Sequence, residues 1–109
     1  VAGVTTLVAM SYWRHPQWVE RAVRSVLAQT DRDIHLLVVG DGEEPPLGHV
    51  TDSRLDVHRL RANRGTYFVH QVMLHASPHE WYAPVDADDW IEPEHLERMA
   101  ALGSDAVAT

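Results

Sequence analysis

Six carboxylates fall between Asp86 and Glu97, and three of them, Asp86, Asp88 and Asp89, crowd one four-residue stretch. Like charges at that spacing repel, and the cost calls for full solvation or a compensating cation. A divalent ion such as Mg²⁺ or Mn²⁺ takes oxygen ligands and supplies the charge. Beside a diphosphate it would stabilise negative charge on a leaving group. The alternative is a solvated acidic turn capping the helix expected after Pro93.

Other residues offer weaker chemistry. Asp41, in Gly40-Asp41-Gly42, can accept a hydrogen bond from a base N–H or a ribose hydroxyl, but Asp-Gly is equally a turn dipeptide. Tyr12, next to Ser11, can stack on a planar base or simply pack at a sheet rim. Trp13, Trp18, Trp81 and Trp90 are core or rim residues first; Trp90 follows the acidic cluster and is the one best placed for a ligand. The eight histidines do not make a metal set. His75 and His79 are four apart, yet Ser77-Pro78 breaks the helix that would align them.

Composition removes several classes. There is no cysteine, hence no disulfide, thiol nucleophile or thiolate metal site. All nine basic residues are arginine, which excludes a Schiff-base or phosphate-loop lysine within this chain. A formal charge of −7 argues against nucleic-acid binding. No apolar run reaches the ~20 residues of a transmembrane helix, and no signal-peptide pattern opens the chain. The expected location is cytoplasmic, with the inner membrane face as a further site for the full-length protein.

The elements that must position these residues follow from periodicity. Val4 to Met10 reads as a buried strand ending at Ser11-Tyr12. Pro16 suits a first helical position, and Val19, Ala22, Val23, Val26 and Leu27 form one apolar face of a helix over 16–29. Ile34 to Val39 is a second buried strand, and Leu55 to Leu60 a more polar edge strand. After the turn Asn63-Arg64-Gly65, residues Phe68, Val69, Val72, Met73 and Ala76 line another helix, stopped by Ser77-Pro78. Trp81 to Val85 is a fourth strand. Pro93 opens a helix with Leu96, Met99 and Ala100 inward, and Ala106-Val107-Ala108 begins a further strand.

The order βαββαβαβ implies an α/β fold: a largely parallel sheet with helices on both faces. Residues 1–109 read as a single but incomplete domain, the first half of a larger one. In such sheets ligands bind beyond the carboxyl ends of the strands, where Ser11-Tyr12, Asp41 and Asp86 to Asp89 would converge.

Five segments, in order, resemble the family 2 glycosyltransferases of the GT-A fold. Leu7 to Tyr12 looks like the opening strand ending in Thr/Ser-Tyr-Asn. Val23 to Thr30 resembles the "S-x-L-x-Q-T" helix end. Leu36 to Gly42 resembles the strand ending in Asp-Asp-Gly, and Asn63-Arg64-Gly65 the Asn-x-Gly before the next helix. Trp81 to Pro93 is similar to the block of hydrophobic strand, D-x-D-D and proline. Three positions depart: Gly40 replaces an aspartate, Trp13 an asparagine, and His70-Gln71 a frequent Arg-Asn pair.

The resemblance implies a Rossmann-like nucleotide-diphospho-sugar transferase fold and transfer of a sugar from a nucleoside diphosphate donor to an acceptor hydroxyl, with inversion. It implies Mn²⁺ or Mg²⁺ held directly by Asp88, with Asp86 at the ribose or a metal-bound water and Asp89 assisting. Tyr12 would stack on or pack beside the base and Asp41 would hydrogen-bond it, with Ser11 nearby; Arg64 or His70 would stand in for the missing arginine. The acceptor half and its general base have no candidate here. The rival expectations are a degenerate module that binds a nucleotide sugar without catalysis, and a nucleotidyltransferase, whose Gly-rich loop and lysine are absent.

Overall fold

The computed structural model describes residues 6–76, 79, 81–99 and 101. The elements run β1 (Thr6–Tyr12), α1 (Pro16–Leu27), β2 (Ile34–Gly40), β3 (Leu55–Arg59), α2 (Thr66–Ala76) and β4 (Trp81–Pro84). A last helix covers 95–99. The strands form one sheet in the order β3-β2-β1-β4, and every pairing is parallel. This is the expected α/β architecture.

The central strands are buried because both faces are covered. Along β1 the side chains alternate, as the pleat requires. Val8, Met10 and Tyr12 join Val19, Ala22, Val23 and Val26 of α1 in one core. Leu7 and Ala9 join Val69 and Met73 of α2 in the other. Residues of β2 divide the same way, with Leu36 and Val38 toward α1 and Leu37 and Val39 toward α2. The continuous β-branched runs read from the sequence are therefore the two strands sandwiched between helices.

Several boundaries shift, each for a local reason. The first strand continues to Tyr12 because Gly40 of β2 extends the ladder opposite it. The helix over 16–29 ends at Leu27, since Ala28 and Gln29 bond back to Arg24 and Val26 in a tightening last turn. Pro84 sits at the end of an edge strand, where a missing N–H costs little. The residues at 93 and 94 form a turn and the helix starts only at 95. Phe68, Val72 and Met99, expected inward, are exposed. Among the described side chains, Val69 and Met73 are those of α2 buried against the sheet, and Leu96 is the one of the last helix buried in the core. Val4, Ser77, Pro78, Ala100 and the strand expected at Ala106 to Ala108 lie outside the described residues. No described helix is long and apolar enough to cross a membrane.

One ion pair anchors β3 to the end of α1. The Arg54 guanidinium donates to both Asp52 carboxylate oxygens at 3.0 Å and to the Leu27 carbonyl at 3.0 Å. These bonds, with the Arg54 backbone N–H, hold the Asp52 carboxyl below the usual range. A lowered folded-state pKa gives stability that is complete above the unfolded value of about 4 and lost as pH falls through the folded one. Urea titrations between pH 6 and 3 should therefore show Asp52→Asn less stable than the parent at pH 6, the gap closing below about pH 4. A gap that persists unchanged at pH 3 would show that the ionised pair contributes nothing.

Candidate functional site

Chain topology opens a crevice at one place. From β1 the chain leaves through α1 to β2 on one side, whereas α2 delivers β4 to the other side. The two helices lie on opposite faces, so β1 and β4 flank a switch point, where open α/β sheets bind ligands. A cleft of about 430 Å³ lies at that end, lined by Ser11, Trp13, Arg14, His15, Asp41, Asn63, Gly65, Thr66, Asp86, Ala87 and Asp88. Strand ends of β1 and β2, both segments leading into the helices, and the loop after β4 all contribute.

Asp86, Asp88 and Asp89 are exposed, and each places a carboxylate oxygen within 4.8 Å of the others. The main chain turns sharply there, with Asp89 N–H bonded to the Asp86 carbonyl. The capping alternative has another owner. The Leu96 N–H of the following helix is taken by the Gln29 side chain at 3.0 Å, not by an aspartate. Among the described residues, no hydrogen bond ties these three carboxylates to that helix. An all-oxygen, triply charged set fits a hard divalent cation.

The Gly40-Asp41-Gly42 corner is built by two loops that close on it. A side chain at Gly40 would collide with the Glu43 carbonyl and lie 2.9 Å from the Pro45 ring. The aspartate usual at that position in the resembled motif is thus excluded by the 43–45 backbone. Gly42 has φ +92°, and a Cβ there would meet Asn63 N at 2.6 Å. Between them Asp41 is 2 % exposed. Its carboxylate accepts from Arg64 N–H at 2.7 Å, Gly65 N–H at 2.9 Å and the Asn63 side-chain amide at 3.0 Å. Asp41 therefore fastens the turn before α2 to the end of β2, a role its place in an Asp-Gly dipeptide only half discloses.

Tyr12 differs from the expectation of a ring offered to a base. It is 4 % exposed and packs in the α1-side core. Burial, helped by the Glu43 carboxylate, raises its pKa. Ser11 does reach the cleft. Arg64 rests on the Phe68 ring, its guanidinium carbon 4.3 Å from the centroid. His70 is half-buried, with Nδ1 2.6 Å from the Tyr82 hydroxyl, a tie between α2 and β4. Burial lowers the His70 pKa, opposed by the charge of Asp86. Neither Arg64 nor His70 lines the cleft.

Trp13, Arg14, His15, Asn63 and Thr66 do line it, and spacing alone did not single them out as ligand contacts. Arg14 and His15 both adopt left-handed backbone, φ 57° and 60°. For non-glycine residues this costs roughly 1–2 kcal/mol each. It lets the chain reverse between β1 and Pro16, and the Glu43 carboxylate holds the Arg14 N–H in that turn. The signal in the sequence was the short gap between Tyr12 and Pro16. Arg14 then lies over the Trp13 ring at 4.3 Å.

The profile described as Glycosyl transferase family 2 matches residues 7–105. The chain belongs to glycosyltransferase family 2. It is 28 % identical to the putative glycosyltransferase EpsH of Bacillus subtilis (strain 168), covering 94 % of this chain and 31 % of that protein. It is 30 % identical to the succinoglycan biosynthesis protein ExoO of Rhizobium meliloti (strain 1021), covering 91 % and 29 %. The chain thus spans about a third of the length of these relatives. Among solved structures, residues 1–349 of S. aureus TarS superpose with a TM-score of 0.79 at 24 % identity, over 93 % of this chain and 32 % of that one. The fold is that of GT-A glycosyltransferases.

Proposed function

We propose that this chain is the donor-binding part of a metal-dependent glycosyltransferase that moves a sugar from a nucleoside diphosphate to an acceptor hydroxyl with inversion. The observation that carries the reading is the cleft that Asp86 and Asp88 line together with Ser11 and the Asp41–Asn63 corner, with the Asp89 carboxylate clustered beside the first two. TarS, which shares the fold, forms complexes with UDP and UDP-GlcNAc, and this supports a nucleotide-sugar donor.

In this reading Asp88 is the direct ligand of Mn²⁺ or Mg²⁺, with Asp86 and Asp89 completing the acidic face. The cation, when bound, neutralises charge on the departing diphosphate. The chain's own residues do the rest. The base lies toward the Asp41–Asn63 corner, where the Asp41 carboxylate keeps roughly one acceptor position after its three hydrogen bonds. Tyr12 supports that corner from the core rather than stacking on the base. Ser11 and the Trp13 ring border the path between base and diphosphate. Arg14, stacked on the exposed Trp13 ring in the cleft, and Arg64, stacked on the Phe68 ring beside it, are cations that would meet phosphate oxygens. His70 holds α2 against β4 and keeps the two walls of the cleft in register. No described residue of this chain is assigned to the acceptor site or as the general base.

The test is calorimetry of nucleoside diphosphates with and without Mn²⁺ on the full-length protein. Binding of UDP or another nucleoside diphosphate that requires the metal is expected. Metal-independent binding, or none, would reject the reading. Tight donor binding without transfer to any acceptor would instead favour a binding module, the reading that the loss of an aspartate at Gly40 suggests.

A further inference from the structure

Three polar side chains recur every fourth residue along α1 and the turn that closes it, Arg21 and Ser25 on the helix and Gln29 two residues past its end. Each meets the backbone of the segment that carries the acidic cluster. An Arg21 guanidinium N–H donates to the Asp88 carbonyl at 3.4 Å. The Ser25 hydroxyl accepts from Ile91 N–H at 3.2 Å while donating to Ala22 O at 2.7 Å. The Gln29 amide, 1 % exposed, donates to Glu92 O at 2.7 Å and to Ser25 O at 3.1 Å, and its oxygen accepts from Leu96 N–H. Next to it the Thr30 N–H donates to the Pro93 carbonyl at 2.7 Å.

This ladder contacts only main-chain atoms of 88–96 and leaves the aspartate side chains alone. Three carboxylates within 4.8 Å of one another repel, and a free loop would relieve the repulsion by splaying. The part-buried and buried bonds from Ser25 and Gln29 resist that movement, because breaking them strands polar groups away from water, whereas the Arg21 bond is exposed and adds less. We infer that Arg21, Ser25 and Gln29 are positioning residues that hold the acidic loop in its cation-binding shape before the cation arrives, with Gln29 the principal one. This rests on the donor-site reading above. It goes beyond it by assigning metal affinity to side chains on the far side of the loop from the metal.

The probe is Mn²⁺ alone, titrated into the full-length protein and followed by the electron paramagnetic resonance of the free ion. Gln29→Met keeps the volume and removes all three bonds; its Kd for Mn²⁺ should rise about tenfold or more, the range known for outer-shell partners of metal ligands. Ser25→Ala, milder and readily folded, should weaken Mn²⁺ less but in the same direction. The control is Leu37→Ala, which destabilises the core on the α2 face and touches nothing in the loop; its Kd should stay at the parent's. Unchanged Mn²⁺ affinity in both the Gln29 and the Ser25 variant overturns the inference. So does equal weakening in the Leu37 variant, which would reveal general loss of stability. Absence of Mn²⁺ binding in the parent overturns the donor-site reading first, and the ladder's role with it.

Discussion

Asp88→Ala should raise the Kd for Mn²⁺ by more than ~100-fold and abolish metal-dependent binding of a nucleoside diphosphate. Loss of a partner behind a metal ligand already costs roughly 10–100-fold, so loss of a ligand itself should exceed that range. The fold should survive. Asp88 is exposed, its carboxylate is clustered with two others, and the Arg21 bond goes to its main-chain carbonyl, which the substitution keeps; surface substitutions of this kind change stability by about 0.5 kcal/mol or less. Removing one of three like charges should leave the thermal midpoint level or slightly higher. Calorimetry of parent and variant, each with and without Mn²⁺, checks both halves. Equal binding by the two proteins would remove Asp88 from the site.

The largest effect on stability is expected at Asp41. Its buried carboxylate accepts three hydrogen bonds, two of them from main-chain N–H groups. Bonds to a charged acceptor are worth about 1.5–3 kcal/mol each, partly recovered when the exposed turn rehydrates. Asp41→Ala should therefore cost roughly 2–4 kcal/mol, or about 10–25 °C in Tm for a chain of this size. Asparagine should help little. In either orientation its NH₂ faces a donor, Arg64 N–H on one side or Gly65 N–H and the Asn63 amide on the other. Urea midpoints for the two variants test this. If both variants were as stable as the parent, the Asp41 bonds would be shown to lie outside what holds the corner together. Mn²⁺ affinity, set across the cleft, should change far less than in the Asp88 variant.

Much of the architecture was legible because it rests on local pattern. Val19, Ala22, Val23 and Val26 announce a helical face whatever surrounds them, and all four are buried. The β-branched runs ending at Ser11 and Gly40 could only be strands covered on both faces. Acidic crowding after the fourth strand was equally plain, since charge density needs no tertiary context to be unusual. What escaped depends on distant partners. Nothing near Gln29 says that its amide will meet Glu92 and Leu96, and nothing near Asp41 says that its oxygens will be consumed at 63–65. For Tyr12 the sequence leaves a base contact and packing at the sheet rim both open, and the pleat sends its ring into the core with Met10 and Val8. Phe68 and Val72 fit a helical period but stay exposed, because Val69 and Met73 are the α2 side chains turned to the sheet.

The all-parallel pairing has a consequence for how the molecule assembles. Thr6 pairs with Trp81 and with Ile34, and Leu36 with Leu55, so no two neighbouring strands are joined by a hairpin that could zip up early. Sheets of this kind fold slowly, since loop closure precedes the contacts that reward it. During synthesis the β3-β2-β1 layer and α1 emerge before β4 exists. The segment bearing the carboxylates therefore docks after them, onto a surface whose receiving groups on α1 are already in place.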